Sequence, residues 1–242
     1  MLQLHVPKDY SLDSRTFQKM QWENPFLYLR KEGNAILMEE NSIEFDKLNF
    51  VELTFPRVIS EGLYLEIDEL NPDLKKIEFH QNKLQIHMGT IAFISAFSVL
   101  VGFVIIQWNR KHKFGTAYDA QADFIIKDGG HKIPDIGLVK GRLIEHINEK
   151  GFIAGTPSLI VEVVSNKYAL QQDLRKMAEH WMPNGTEIGL VIDPHRKEYH
   201  VFEQGEENYK SFPFETIFEH TKLPELELDF NALLVEARGE EE

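Results

Sequence analysis

The spacing of hydrophobic and polar positions changes several times along this chain, and each change predicts an element. Residues 91–108 are almost wholly apolar, and no charge falls between Met88 and Asn109. A run of that length matches the roughly 20 residues of a bilayer-crossing helix, and Arg110-Lys111-His112-Lys113 follows it as a cytoplasmic flank would. Ser98 and Gly102 add a small-xxx-small pair. Ser95, Ser98 and Gln107 dilute the run, however, and the segments around it read as one soluble fold. The pattern is therefore taken as a long core helix, covered by a sheet and a partner subunit, and no membrane span is expected. Residues 158–164 form a near-continuous apolar stretch of the kind seen in a strand buried on both faces. Leu170, Leu174, Met177 and Trp181 then recur at helical spacing over 168–182, before Pro183-Asn184-Gly185 ends the pattern.

Shorter periods fill in the rest. Residues 76–79 and 83–88 alternate on either side of Gln81-Asn82 and predict a hairpin. Residues 117–127 alternate as one strand, Asp128-Gly129-Gly130 is a turn, and 131–139 is the partner strand. Residues 187–192 and 198–203 pair around Asp193-Pro194-His195. Upstream, 15–20 and 63–71 read as helices, the second closed by Pro72, while 35–38 and 50–55 read as strands. The order predicts an α/β fold with a mixed sheet flanked by helices. It comprises an N-terminal extension (1–60), a core (61–205), and a C-terminal segment (206–242) ending in a frayed Glu240-Glu241-Glu242 tail.

Composition narrows the chemistry. The 242 residues are 43% hydrophobic and 27% charged, a globular balance. There is no cysteine, which excludes a disulfide scaffold, thiolate metal sites and a thiol nucleophile, and suits a reducing, cytoplasmic setting. The start, Met1-Leu-Gln-Leu-His-Val-Pro, lacks the basic-then-apolar pattern of a secretory signal. With 26 Lys+Arg against 39 Asp+Glu the net charge is −13. A nucleic-acid partner then requires a local basic surface and a metal. The candidate cations are Arg110, Lys111, Lys113, Lys140, Arg142, Lys167 and Arg175. Phosphate-loop, dinucleotide, zinc-protease and serine-elbow patterns are all absent. His195 and His200 straddle a turn and read as surface residues.

Two acids remain. Asp135 follows Pro134, and Glu162 sits in the apolar strand between Ile160-Val161 and Val163-Val164. A carboxylate there is costly unless something positive meets it, either a structural ion-pair partner or a metal. Carboxylates on successive predicted strands suit a hard divalent cation such as Mg²⁺. Asp119 reads as an ordinary edge residue. Lys176 falls with Gln172 and His180 on the helix face away from the apolar stripe, where a solvated position is expected.

Several segments in order carry a resemblance: Pro134-Asp135; Glu162 within Pro157-Ser-Leu-Ile-Val-Glu-Val-Val-Ser165; Asp173-Leu-Arg-Lys176; and Gly189-Leu-Val-Ile-Asp-Pro194. Over residues 62–203, which include Trp108-Asn109, the chain resembles the PD-(D/E)xK nuclease superfamily and, more narrowly, the bacterial Uma-two type of restriction endonuclease. The resemblance implies a core that hydrolyses DNA phosphodiesters with Mg²⁺ (or Mn²⁺); the homodimer is expected separately, because so apolar a helix would leave a lone subunit poorly soluble. The resemblance also makes Asp135 and Glu162 metal ligands, with the Val163 carbonyl as a third. The usual lysine two residues past the acid is replaced by Val164. The resemblance then makes Lys176 the matching residue, orienting water and stabilising transition-state charge, with Lys167 as a second candidate. Relatives carry a polar or acidic residue on the long helix, where this chain offers Ser95 and Ser98. The alternative is an inactive nuclease-fold binding or regulatory module.

Overall fold

Two hydrophobic cores form along the chain, and each organises its own set of elements. The computed structural model describes residues 2–40, 50–74, 76–87, 91–141, 147–149 and 151–239. Arg142, Met88 and the Glu240–Glu242 tail lie outside the described residues. One unit comprises residues 1–89 with 129–131, and the other comprises 90–128 with 132–242.

In the first unit, β1 (Leu2–His5) is followed by α1 (Ser14–Glu23), β2 (Leu27–Glu32) and β3 (Ala35–Glu40). The helix starts because the Asp13 carboxylate accepts a 2.7 Å hydrogen bond from the Thr16 N–H, satisfying one of the donors a helix start leaves unpaired. β3 lies between β1 and β2, antiparallel to both. The β1 and β2 strands are absent from the sequence reading, since each is short and mostly exposed. Next come β4 (Phe50–Thr54), α2 (Glu61–Leu70), and the expected hairpin of β5 (Ile77–His80) and β6 (Lys83–His87), with β6 also pairing antiparallel to β4. Leu4, Met20, Leu29, Ile36, Leu53, Ile67 and Leu84 share this core.

The second unit opens with α3 (Ala92–His112). Its end is fastened by side chains. The Trp108 indole donates to the Pro224 carbonyl at 2.8 Å, and the Asn109 amide exchanges two 3.0 Å hydrogen bonds with the Gly115 backbone. A Cβ at Gly115 would stand 1.8 Å from the Val139 carbonyl oxygen, so only glycine fits. The expected single strand over 117–127 is instead β7 (Gly115–Tyr118), a turn, and β8 (Phe124–Ile125). Its expected partner is likewise divided, into β9 (His131–Lys132) and β10 (Ile136–Lys140). Pro134 lies at that break and has no N–H to continue a ladder. β10 pairs antiparallel with β7, Leu138 opposite Ala117, so the outer parts of the two expected strands do pair across the Asp128-Gly129-Gly130 turn.

Thereafter come β11 (Ile153–Ala154), parallel to β8, then β12 (Leu159–Val163), α4 (Leu170–Lys176), β13 (Ile188–Asp193) and β14 (Glu198–Glu203). The expected 168–182 helix continues past α4 as a π-helical turn, Met177–Trp181, and a 3₁₀ turn, Met182–Asn184. Residues 206–242 contribute β15 (Lys210–Pro213) beside β14, a hairpin of β16 (Phe218–His220) and β17 (Leu223–Leu228), and α5 (Phe230–Arg238).

The main sheet runs β15-β14-β13-β12-β10-β7, with β12 and β13 parallel and the other neighbours antiparallel. This is the mixed sheet flanked by helices that the sequence predicts. Strand alternation sends Leu159, Val161 and Val163 into one core with Phe97, Val101, Ile105 and Phe230. It sends Ile160 and Val164 into another with Leu170, Leu174, Met177 and Trp181. The long apolar helix is thus anchored in a protein core along one face, while Val99, Phe103 and Ile106 stay exposed. It remains a helix long and apolar enough to cross a membrane by length and composition.

Candidate active site

Glu162 occupies the middle of β12 and shares the face of Ile160 and Val164, so it points toward α4 and is only 3% exposed. The compensating charge comes from Lys176, also 3% exposed, whose ammonium lies 3.0 Å from Glu162 Oε1. The Trp181 indole N–H donates to the same oxygen at 2.8 Å. The solvated position expected for Lys176 is therefore wrong. Docking α4 against this face of the sheet buries Asp173, Leu174 and Lys176 in its last turn and leaves Arg175 exposed. The π-helical turn that follows departs from the 3.6-residue repeat used to place these side chains and carries Trp181 to the acid.

Asp135 approaches from the neighbouring strand. The β10–β12 ladder pairs Ile136 with Val161, so Asp135 precedes and Glu162 follows that pair. The Asp135 carboxylate accepts a 2.7 Å hydrogen bond from the Val163 N–H through Oδ2. Lys176 also donates to the Ile133 carbonyl at 2.9 Å. The Ile133-Pro134-Asp135 segment is thus tied on one side to Lys176 and on the other to β12. Asp135 is half-buried and lines a cleft of about 850 Å³ with Ser95, Ser98, Phe103, Tyr118 and Asp119.

The remaining candidates separate. Lys167 is exposed over the Tyr168 ring. Asp119 is an exposed residue whose carboxylate holds the Gln121 N–H, as its edge reading expects. Among the basic candidates, Lys140 pairs with Glu187 at 2.7 Å and Lys111 pairs with Glu225. Asp193, fully buried, caps its own turn through the His195 and Arg196 N–H groups and pairs with the Arg196 guanidinium at 2.7 Å. Its place in the Ile-Asp-Pro segment is therefore that of a turn residue. His200, expected on the surface, is buried on β14 with Nδ1 2.8 Å from Ser211 Oγ. Burial holds its imidazole below the usual range, with Glu198 and Asp193 opposing that shift.

Sequence reasoning missed Trp181 as a polar partner, reading it as a stripe residue only. It also passed over Gly189, where a Cβ would meet Met177 Sδ at 2.3 Å. That notch lets the turn carrying Trp181 lie close on β13. The signal was present, since a glycine within a fully buried strand marks a close approach.

Among the described residues no group of three or more His, Asp or Glu gathers as a metal cage. Asp135 and Glu162 are thus the hard-oxygen set in question. Two carboxylates fit Mg²⁺, which keeps waters and phosphate oxygens for its other positions, better than they fit Ca²⁺, which takes 6–8 oxygens. The contacts to Glu162 from Lys176 and from the Trp181 indole both fall on Oε1, one of the two oxygens a carboxylate offers a cation.

The sequence matches the family Uma2, described as "Putative restriction endonuclease", over residues 63–235. Among solved structures it is similar to a putative nuclease belonging to DUF820 from Anabaena variabilis, at 19% identity and a TM-score of 0.60. That match covers 74% of this chain and 99% of the other, and shows a shared fold. No curated protein matches.

Proposed function

This chain belongs to the Uma2 family of putative restriction endonucleases, and from that premise we propose that it hydrolyses DNA phosphodiester bonds at a Mg²⁺-dependent site of the PD-(D/E)xK type. One observation carries the reading. A lysine and a glutamate, distant in sequence, meet as a buried pair, and the same lysine binds the carbonyl two residues before Asp135.

Asp135 and Glu162 would hold the cation, and the Val163 carbonyl is the third proposed ligand. When bound, such an ion polarises a phosphoryl oxygen and lowers the pKa of an attacking water. Asp135 has its Oδ2 held by the Val163 N–H and lines the cleft. The Lys176 ammonium neutralises Glu162 and supplies positive charge beside the position where phosphorane-like charge develops. Trp181 fixes the Glu162 rotamer. Manganese is the expected substitute ion. The proposal includes a homodimer, supported by the exposed Val99, Phe103 and Ile106 on α3, and a cytoplasmic setting, supported by the absence of cysteine.

Supercoiled plasmid incubated with Mg²⁺ or Mn²⁺ tests the chemistry. Nicking or linearisation by wild type, lost in Asp135→Ala and in EDTA, is expected. Equal inertness of both proteins across salt and substrate would refute it. A second reading, an inactive nuclease-fold binding module, is favoured by Val164 standing where the usual lysine would be and by the net charge of −13. Calorimetry separates the two: Mg²⁺ or Mn²⁺ binding that Glu162→Gln abolishes belongs to the enzyme, and no binding belongs to the module.

A further inference from the structure

The first unit presents a surface that the cleavage chemistry does not use. Arg15, Lys19 and Trp22 recur at i, i+4 and i+7 along one face of α1, opposite Met20, which is fully buried. These three, with Gln18 and Arg57, line a cleft of about 770 Å³. Trp22 is 85% exposed, whereas the other two tryptophans, Trp108 and Trp181, are buried. Nothing in the core requires an indole at that position.

We propose that this cleft is a docking surface for an unpaired polynucleotide strand, with a base stacked on Trp22 and backbone phosphates on Arg15, Lys19 and Arg57. Charge complementarity argues for the occupant: three cations line one cleft in a chain of net charge −13. The indole decides between nucleic-acid forms. A duplex hides its base faces, so an open aromatic gains stacking only from a base that is not paired. The one acid lining the cleft, Asp13, is already engaged, and so is Glu23 on the same helix. Asp13 caps α1 through the Thr16 N–H, and that hydrogen bond holds its carboxyl below the usual range. Glu23 sits 3.6 Å from Lys19 and, with Arg57, acts electrostatically on the Tyr10 hydroxyl. A phosphate would compete with Glu23 for the exposed Lys19, whose ammonium is 3.6 Å from the Glu23 carboxylate. DNA and RNA single strands share this chemistry.

The test uses the full chain in metal-free buffer with EDTA, so that no strand is cut and the result is independent of the proposed nuclease site. Fluorescein-labelled dT and rU oligomers of about 15 nucleotides, and a duplex of equal length, are titrated at about 50 mM salt and read by anisotropy. Single strands are expected to bind, with Trp22→Ala weakening them roughly 5- to 100-fold and circular dichroism unchanged. Arg57→Gln should flatten the plot of log K against log salt by about 0.7. Bound oligomer should also shield wild-type fluorescence from acrylamide, because the quenchable indole is Trp22. The dT and rU arms identify the source of the strand. Failure of every polynucleotide to bind, equal binding by wild type and Trp22→Ala, or preference for the duplex overturns the proposal, the first outcome pointing to an acidic protein partner instead. Asp135→Ala should retain full binding.

Discussion

Glu162 is legible in the sequence as an anomaly, a carboxylate where only aliphatic side chains belong, whereas Lys176 is pointed to by the resemblance alone and not by helical spacing. Lys176 looks like a surface lysine until α4 is laid on the sheet. The pair is buried on both sides, so removing one member strands the other. Lys176→Met should lower unfolding free energy by about 3–5 kcal/mol, measured in urea. The double variant with Glu162→Gln should lose clearly less than the two single losses added together. Asp135→Asn should cost only about 1 kcal/mol, since the residue is half-buried, while abolishing cleavage. His200 provides a pH test. Its folded value lies below the ordinary 6.5 because burial disfavours the imidazolium. The unfolded chain then binds the proton first, so the stability this residue contributes is complete above pH 6.5 and declines as pH falls below it. Comparing urea midpoints at pH 7.5 and 5.5 should show a drop in wild type that is smaller in His200→Asn.

Among the elements, α4 and its π-helical continuation carry the strongest constraint. Gly189 leaves room for Met177, and a methyl group there would press on the thioether of a fully buried side chain. Gly189→Ala should cost about 1–3 kcal/mol and loosen Trp181 and Lys176 together, which Trp fluorescence and thermal melts can follow. A compensating Met177→Ala should recover part of the loss. The strands read over 117–127 and 131–139 do pair, Ala117 opposite Leu138, but each is interrupted, because alternation reports which face is buried and does not mark where a ladder breaks. Pro134 marks the interruption, and that interruption is what allows Asp135 to turn its carboxylate to the Val163 N–H.

For the whole molecule, the two cores differ in how much of them the sequence announced. In the N-terminal 87 residues the spacing announces β3, β4, β5 and β6 but not β1 and β2, whose side chains are mostly exposed and so leave little hydrophobic pattern. The C-terminal residues, read as a trailing segment, place Phe214, Phe218, Leu226, Leu228, Phe230 and Leu234 in the core that also holds α3. A chain ending at residue 205 should therefore lose cooperative unfolding of the second unit. A featureless near-ultraviolet circular dichroism spectrum would register that loss, and a sharp transition would contradict it. Covering by α5 and the β16–β17 hairpin also explains how so apolar a helix sits in a protein core.

From its sequence alone this protein determined its first four helices, though not α5, and the buried strand at its centre. It also determined its family and the two acids out of place, because periodicity and local chemistry are written residue by residue. The partner of Glu162, the seat of Asp135 and the open indole on α1 were decided only in three dimensions. Each depends on which surfaces meet, and that depends on packing between segments whose separation along the chain carries no trace of it.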